Sequence, residues 1–337
     1  MLGTRPAPVI WVVSTVRDSL ANLERFVTQN LAGGADHLVV FVDDDDPDLM
    51  EFLASHPHTT GVAAGAWWGD ARPPALNSRQ RIAANVVRSL AARLRGVRWV
   101  FHIDGDEVIR VDPRRLDALD AEVVRLEVLE AVASWDPAPE HRHLFKHQLD
   151  KGQLAELVAR GAISRPKNSC YFHGHLSGKV GIRPAHDVWF GIHRAMGARR
   201  EPVSATAAPW LRLLHYESVS GPEFVRKWSN LLSSGTEAAV RSSRAEVAEA
   251  ILAEMGTPQP RWRRVFEQTT ADHIETLLTL GLLTTVDPDR SVHTPTKYPD
   301  TGALESSLLA LTVEDKRIFE PERDPGELQR LLDRLGV

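Results

Sequence analysis

Apolar and polar positions along the first hundred residues fall into alternating blocks of strand and helix length. Residues 9–14 (Val-Ile-Trp-Val-Val-Ser) form a continuous apolar run, the pattern of a strand covered on both faces. Residues 18–31 then place Leu20, Leu23, Phe26, Val27 and Leu31 near helical spacing, with Gly33-Gly34 as a stop. Residues 37–42 read as a second buried strand that runs into four consecutive acids, Asp43 to Asp46. A short helix over 47–55, a third strand over 61–66 and a loop around Trp67-Trp68 come next. The spacing of Ile82, Val86, Leu90 and Leu94 predicts a long helix over 77–94. Residues 98–103 (Arg-Trp-Val-Phe-His-Ile) form the next strand, which ends at Asp104-Gly105-Asp106-Glu107. This is a β-α-β wind with acids at two strand ends, and open α/β sheets bind ligands outside the carboxyl ends of their strands.

Beyond residue 121 the pattern changes. Strands are expected over 123–128, 171–182 and 210–216, with longer loops between them and a high density of histidine. After Tyr216 the chain turns helical. Ser220-Gly221-Pro222-Glu223 has the order of a capping box with proline in the first turn, and helices are expected from it and over 237–255, 264–280 and 325–335. The expected division is residues 1–220 as an α/β domain and 221–337 as a helical C-terminal region.

Composition narrows the function classes. The 337 residues are 43% hydrophobic and 25% charged, as in an ordinary globular enzyme. Lys plus Arg total 40 against 45 acids, a net charge of −5, so the basic footprint of a nucleic-acid partner is missing. One cysteine, Cys170, excludes an internal disulfide and suits a reducing compartment. No run reaches the roughly 18–20 apolar residues of a membrane span, so a cytoplasmic protein without a transmembrane segment is expected.

The acid turn at 104–107 carries the strongest chemical signal. A buried strand delivers carboxylates to its end, and Gly105 lets the backbone turn so that they converge. Hard divalent cations, Mn²⁺ or Mg²⁺, take such oxygen ligands together with substrate phosphates. The bland alternative is a solvated acidic turn. Asp43 and Asp44 suit a nucleoside clamp, since carboxylates accept hydrogen bonds from base N–H and ribose hydroxyls. Their alternative is a helix N-terminus, where acids favour the dipole. Lys179 and Arg183 suit a diphosphate, with an exposed cationic strand face as the alternative. Trp67 and Trp68 could stack on a sugar or base, or simply pack. The set His141, His143 and His147 lacks the companions a zinc site would need.

Several ordered blocks resemble family 2 glycosyltransferases, in the branch related to family 92. They are Val13-Ser14-Thr15-Val16-Arg17-Asp18, Gly33-Gly34-Ala35-Asp36-His37, the helix with Gln80, Arg81 and Asn85, the run from Trp99 to Glu107, Gly178-Lys179 through Arg183-Pro184, His193-Arg194, and His215-Tyr216-Glu217-Ser218 with Phe224 and Lys227. The similarity spans about residues 9–230. It implies a GT-A fold with a mixed central sheet, a nucleotide-sugar donor with a UDP-sugar favoured, a carbohydrate or small-molecule acceptor, and a divalent metal. Carried over, Ser14, Arg17, Arg81 and Asp104 would face the donor, and Asp106 would be the principal metal ligand. Asp104, His215 or His193 would complete the metal's coordination. Asp187 is the first candidate for the base and Glu217 the second, since an inverting transfer needs a carboxylate to take the acceptor proton. The chain departs from the family's pattern at Arg17-Asp18, where relatives have Asn-Glu. Two other readings stand beside this one. A nucleotidyltransferase would carry a glycine-rich loop after the first strand, and residues 14–18 contain no glycine. A non-catalytic binding protein on a transferase scaffold would not need all three acids of 104–107.

Overall fold

The computed structural model describes residues 9–94, 96–233, 245–254, 260–297, 301–319 and 325–336. In chain order the first part comprises β1 (Val9–Val16), α1 (Leu20–Ala32), β2 (His37–Val42), α2 (Pro47–Ser55), β3 (Thr59–Ala63), α3 (Ala64–Trp68), α4 (Leu76–Arg93) and β4 (Val97–His102). The middle adds β5 (Glu107–Arg110), α5 (Pro113–Asp117), β6 (Val123–Ala131), β7 (Leu144–Lys146), α6 (Lys151–Ala159), β8 (Lys179–Ile182), β9 (Val188–Phe190), β10 (Ala195–Gly197), β11 (Pro202–Val203) and β12 (Thr206–His215). The last part holds α7 (Gly221–Ser233), α8 (Ala245–Glu254), α9 (Pro260–Thr269), α10 (Ile274–Thr279), β13 (Leu283–Thr285), α11 (Thr301–Ala310), α12 (Val313–Arg317) and α13 (Pro325–Leu335). The result is a mixed α/β protein with a mixed sheet and C-terminal helices. No helix among the described residues is long and apolar enough to cross a membrane.

The chain divides into two compact units, each discontinuous in sequence. Unit 1 is residues 1–127, 178–213 and 288–337, and unit 2 is residues 128–177 and 214–287. The chain passes between the units inside β6, inside β12 and in the loops at 177–178 and 287–288, none of which is the change of composition at residue 221.

In unit 1 the strands run in the order β6-β8-β4-β1-β2-β3. β4, β1, β2 and β3 are parallel, whereas β8 is antiparallel to β4 and to β6. From β1 the chain winds outward through β2 and β3, then crosses back along α4 to place β4 on the other side of β1. That reversal leaves a crevice at the carboxyl ends of β1 and β4, where doubly wound sheets bind ligands. β1 is buried along its whole length, as its unbroken apolar run requires. Gly33 closes α1 as expected, but its lack of a side chain serves a second purpose. A Cβ there would lie 2.0 Å from the Ile109 carbonyl, so glycine lets β5 lie against the end of α1. Asn30 fixes that contact, donating to the Glu107 carbonyl and accepting from the Ile109 N–H.

Unit 2 pairs the last residues of β6 with β7, and β7 with β13, all antiparallel. Its helices pack Phe224, Trp228, Ile251, Val265 and Phe266 into one cluster. Three expectations differ here. The strand over 171–182 shrinks to Lys179–Ile182, because residues 171–175 form a loop that wraps buried charges. The helix over 264–280 is two helices, α9 and α10, and Asp272 occupies the break. Of the helix over 237–255, Ala245–Glu254 is observed, and 237–244 and 255 lie outside the described residues.

Candidate functional site

The acid turn leaves β4 at the crevice beside β1. The Ile103 N–H bonds the Val13 carbonyl, and a Cβ on Gly105 would lie 3.1 Å from the Val16 side chain. The turn therefore sits against the end of β1, as the strand order dictates.

Within the turn, the three acids have different surroundings. Asp104 is engaged at both oxygens: the Gln80 amide donates to Oδ1 at 3.0 Å, and the Lys179 ammonium donates to Oδ2 at 2.8 Å. Glu107 is fully buried. Its Oε2 accepts the Asp104 N–H at 2.7 Å and lies 3.6 Å from Lys179 Nζ. Asp106 is half-buried. Burial raises the Asp104 carboxyl, but the charge and hydrogen bond of the Lys179 ammonium, together with neighbouring His102, outweigh it and hold the group below its ordinary value. Lys179 was expected to face a diphosphate. Instead its side chain is fully buried among carboxylates, which is the only affordable place for a buried ammonium.

His102, on the strand that leads into the turn, was assigned no role. It is buried, and neither ring nitrogen meets a hydrogen-bond partner among the described residues. Burial, aided by the nearby Lys179 charge, pushes its imidazole down to about 3, so it stays neutral at physiological pH. His193 lies near this end of unit 1, with Nδ1 3.1 Å from the Gly178 carbonyl. Ser14 is buried in β1 with its hydroxyl meeting no partner among the described residues, and Arg81 is half-buried on α4.

The four acids after β2 resolve one by one. Asp43 accepts from Arg79 through both oxygens, at 3.0 and 2.8 Å, and pairs with Arg72 at 2.9 Å. Its acceptor capacity thus anchors the loop before α4, where a nucleoside clamp was expected. Asp44 pairs loosely with Arg17 at 3.5 Å, both exposed. Asp45 accepts from the Gly65 and Ala66 N–H groups, and Asp46 caps α2. Trp67 and Trp68 are packing residues, buried edge to face, with the Trp67 indole donating to the Leu308 carbonyl.

Two expected residues lie at the other end of the sheet. Arg183 follows β8, which runs antiparallel to β4, so it sits near the start of β4. Its guanidinium covers the Trp99 ring and donates to the carbonyls of Asp117, Leu119 and Ala121. It lines a cavity of about 540 Å³ with Val97, Arg98 and His186. Asp187 is exposed and accepts from the Trp189 indole. The neighbouring His186 carbonyl bonds Arg88, eight residues, or about 12 Å along α4, from Gln80. Neither residue joins the acid turn.

Unit 2 gathers the remaining candidates around a buried charge network. His215 lies 3.3 Å from Glu217 through Nε2 and 3.6 Å from Glu130 through Nδ1, and its ring stacks on His175. Glu217 also pairs with Lys227 at 2.9 Å. Glu130, fully buried, accepts the N–H groups of His173 and Gly174 and pairs with the buried Lys146. Lys146 pairs in turn with Asp272. The motif residues 215, 217 and 227 are thus neighbours, but Glu130, Lys146 and Asp272 were missed. Their signal was a charge inside apolar strand sequence, Leu-Glu-Val-Leu-Glu-Ala at 126–131. His143 and His147 bond Val286 and Thr284 rather than converge with His141.

The chain is therefore an α/β protein with an acid turn at the switch point of a doubly wound sheet. A scan against protein-family models and a search of curated proteins find no match to it. Among solved structures it is similar to HddC from Yersinia pseudotuberculosis, at 10% identity and a TM-score of 0.33, over 66% of this chain and 99% of that one.

Proposed function

We propose that this chain is a metal-dependent glycosyltransferase of the GT-A type, which moves a sugar from a nucleotide-sugar donor, a UDP-sugar first of all, to an acceptor hydroxyl with inversion. One observation carries the reading: the Asp104–Glu107 turn emerges from β4 at the reversal of strand order beside β1, with Asp106 half-buried. Three carboxylates gather at the turn with Lys179 among them, and a donor set rich in carboxylate oxygens fits Mn²⁺ or Mg²⁺. Asp106, half-buried on the turn, would hold the ion, with Asp104 oriented beside it by Gln80 and Lys179. A bound divalent cation would neutralise charge on the departing diphosphate. Asp104, fixed in orientation by those two neighbours, presents its carboxylate to a donor hydroxyl. Arg17, exposed beside Asp44, meets the donor from the end of β1. Asp187 is left out of the chemistry because of its place near Arg88, and the base role falls to Glu217, whose carboxylate Lys227 and His215 hold.

The test is a binding screen of nucleoside diphosphates with and without Mn²⁺, on wild type and Asp106→Ala, followed by a transfer assay that includes Glu217→Gln. UDP binding is expected to depend on Mn²⁺ and to weaken at least tenfold in Asp106→Ala, about 1.4 kcal/mol. Glu217→Gln should bind donor and lose transfer. Binding indifferent to both the metal and Asp106 would sink the proposal.

A further inference from the structure

A buried lysine at an acid turn is an unusual expense. Lys179 has no exposed side-chain surface, and its ammonium reaches Asp104 at 2.8 Å and Glu107 at 3.6 Å. Glu107 is itself fully buried, and its Oε2 accepts the Asp104 N–H, which sets the shape of the turn. Without a cation here, a buried carboxylate and its half-buried neighbour would repel each other in a region of low dielectric. Position 179 is the first residue of β8, held in register with Leu126 of β6, and Gly178 before it adopts φ +64°. Backbone and burial together place the ammonium inside the turn rather than toward solvent.

We propose that Lys179 is a positioning residue that serves as a built-in counter-charge. It folds the Asp104–Glu107 turn in the absence of a divalent ion, and it weakens that ion's binding so that the metal exchanges readily. This rests on Asp106 being the carboxylate that holds the metal. A purely structural lysine would stabilise the protein and leave metal affinity alone. A built-in counter-charge lowers affinity, because its positive charge opposes the incoming cation across a few ångströms of protein.

The test is Mn²⁺ titration by calorimetry on wild type, Lys179→Met, Asp106→Ala and the Asp106→Ala/Lys179→Met double variant, with thermal midpoints recorded with and without Mn²⁺. Lys179→Met is expected to bind Mn²⁺ at least tenfold more tightly than wild type. Its midpoint should fall without metal and recover with Mn²⁺ by more than wild type gains. If the variant folds poorly, preparation in Mn²⁺ followed by chelation still reads the second effect. Affinity within twofold of wild type, or a midpoint that Mn²⁺ does not recover, overturns the inference. Asp106→Ala separates the two claims. Mn²⁺ binding that survives it in both backgrounds defeats the assignment of Asp106, whereas the wild-type and Lys179→Met comparison still decides the role of Lys179. No Mn²⁺ binding by wild type or Lys179→Met defeats both.

Discussion

At Gly174 a single added carbon would meet the core of unit 2. Its Cβ would lie 2.2 Å from His215 Cε1 and 2.9 Å from a Glu130 oxygen, while its N–H donates to that same carboxylate. Gly174→Ala is therefore expected to cost about 1–3 kcal/mol, the usual cost of overpacking, read as a lowered urea midpoint. An unchanged midpoint would show that the 173–175 loop yields. Nothing local in His-Gly-His announces this constraint, because the atoms that impose it arrive from β6 and β12. Asp43 shows the converse. The sequence left it between a nucleoside clamp and an acidic helix N-terminus, but its partner Arg79 lies 36 residues on, and only the fold shows that the two are paired.

At the scale of elements, Lys146 joins strand to strand and strand to helix break. From β7 it reaches Glu130 on β6 and Asp272 between α9 and α10, each at 2.9 Å. Burial raises the carboxyls of Glu130 and Asp272, but Lys146 together with the hydrogen bonds and charges of His215 and His173 outweighs it, and both lie below their ordinary values. Burial would likewise lower the lysine, but Asp272 and then Glu130 outweigh it and raise it. The sign follows from linkage. The carboxylates' stabilisation is complete above their ordinary range, near pH 4, and is lost as pH falls through the depressed folded values. The lysine's is complete below its ordinary value, near 10, and is lost as pH rises through the raised one. Lys146→Met removes the ammonium that Glu130 and Asp272 share, leaving the His215 and His173 imidazoles beside them, and should cost about 3–5 kcal/mol at pH 7. Urea unfolding from pH 3 to 9 should show the gap to wild type narrowing toward acid, where the two carboxyls protonate. A gap that stays constant would mean the network contributes packing only. The periodicity of apolar residues located β6 but not the short β7, and it reads charges as surface, so it had no way to pair three of them in a core.

Across the whole molecule, the C-terminal segment belongs to unit 1, to which it returns after the whole of unit 2. Asp36, at the start of β2, accepts from Ile10 on β1 and from His293 and Thr296, more than 250 residues later. Leu304, Leu308, Phe319, Leu331 and Leu332 complete the core that holds Trp11, Phe41 and Trp67. Deletion of residues 288–337 should thus expose the apolar side of the parallel sheet and abolish cooperative unfolding of unit 1, as followed by near-ultraviolet circular dichroism. A truncated chain that melts as sharply as the full one would refute this. The acid turn likewise owes its place in the crevice to the strand order β3-β2-β1-β4.

By itself the sequence determined the local elements. Unbroken apolar runs with polar punctuation made β1, β2 and β4, 3.6-residue spacing made α1 and α4, and an acid turn followed the last of these strands. Those are short-range consequences of burial and backbone geometry, and they need no knowledge of distant residues. Only the tertiary structure decided which charges became partners. It buried Lys179 beside Asp104 and moved Arg183 and Asp187 to the other end of the sheet. It also spent Asp43 on Arg79 and drew Glu130, Lys146 and Asp272 together. Charges interact through space across tens or hundreds of residues, and a strand's direction fixes which end of a sheet its side chains reach. Neither property is written in the neighbourhood of the residue itself.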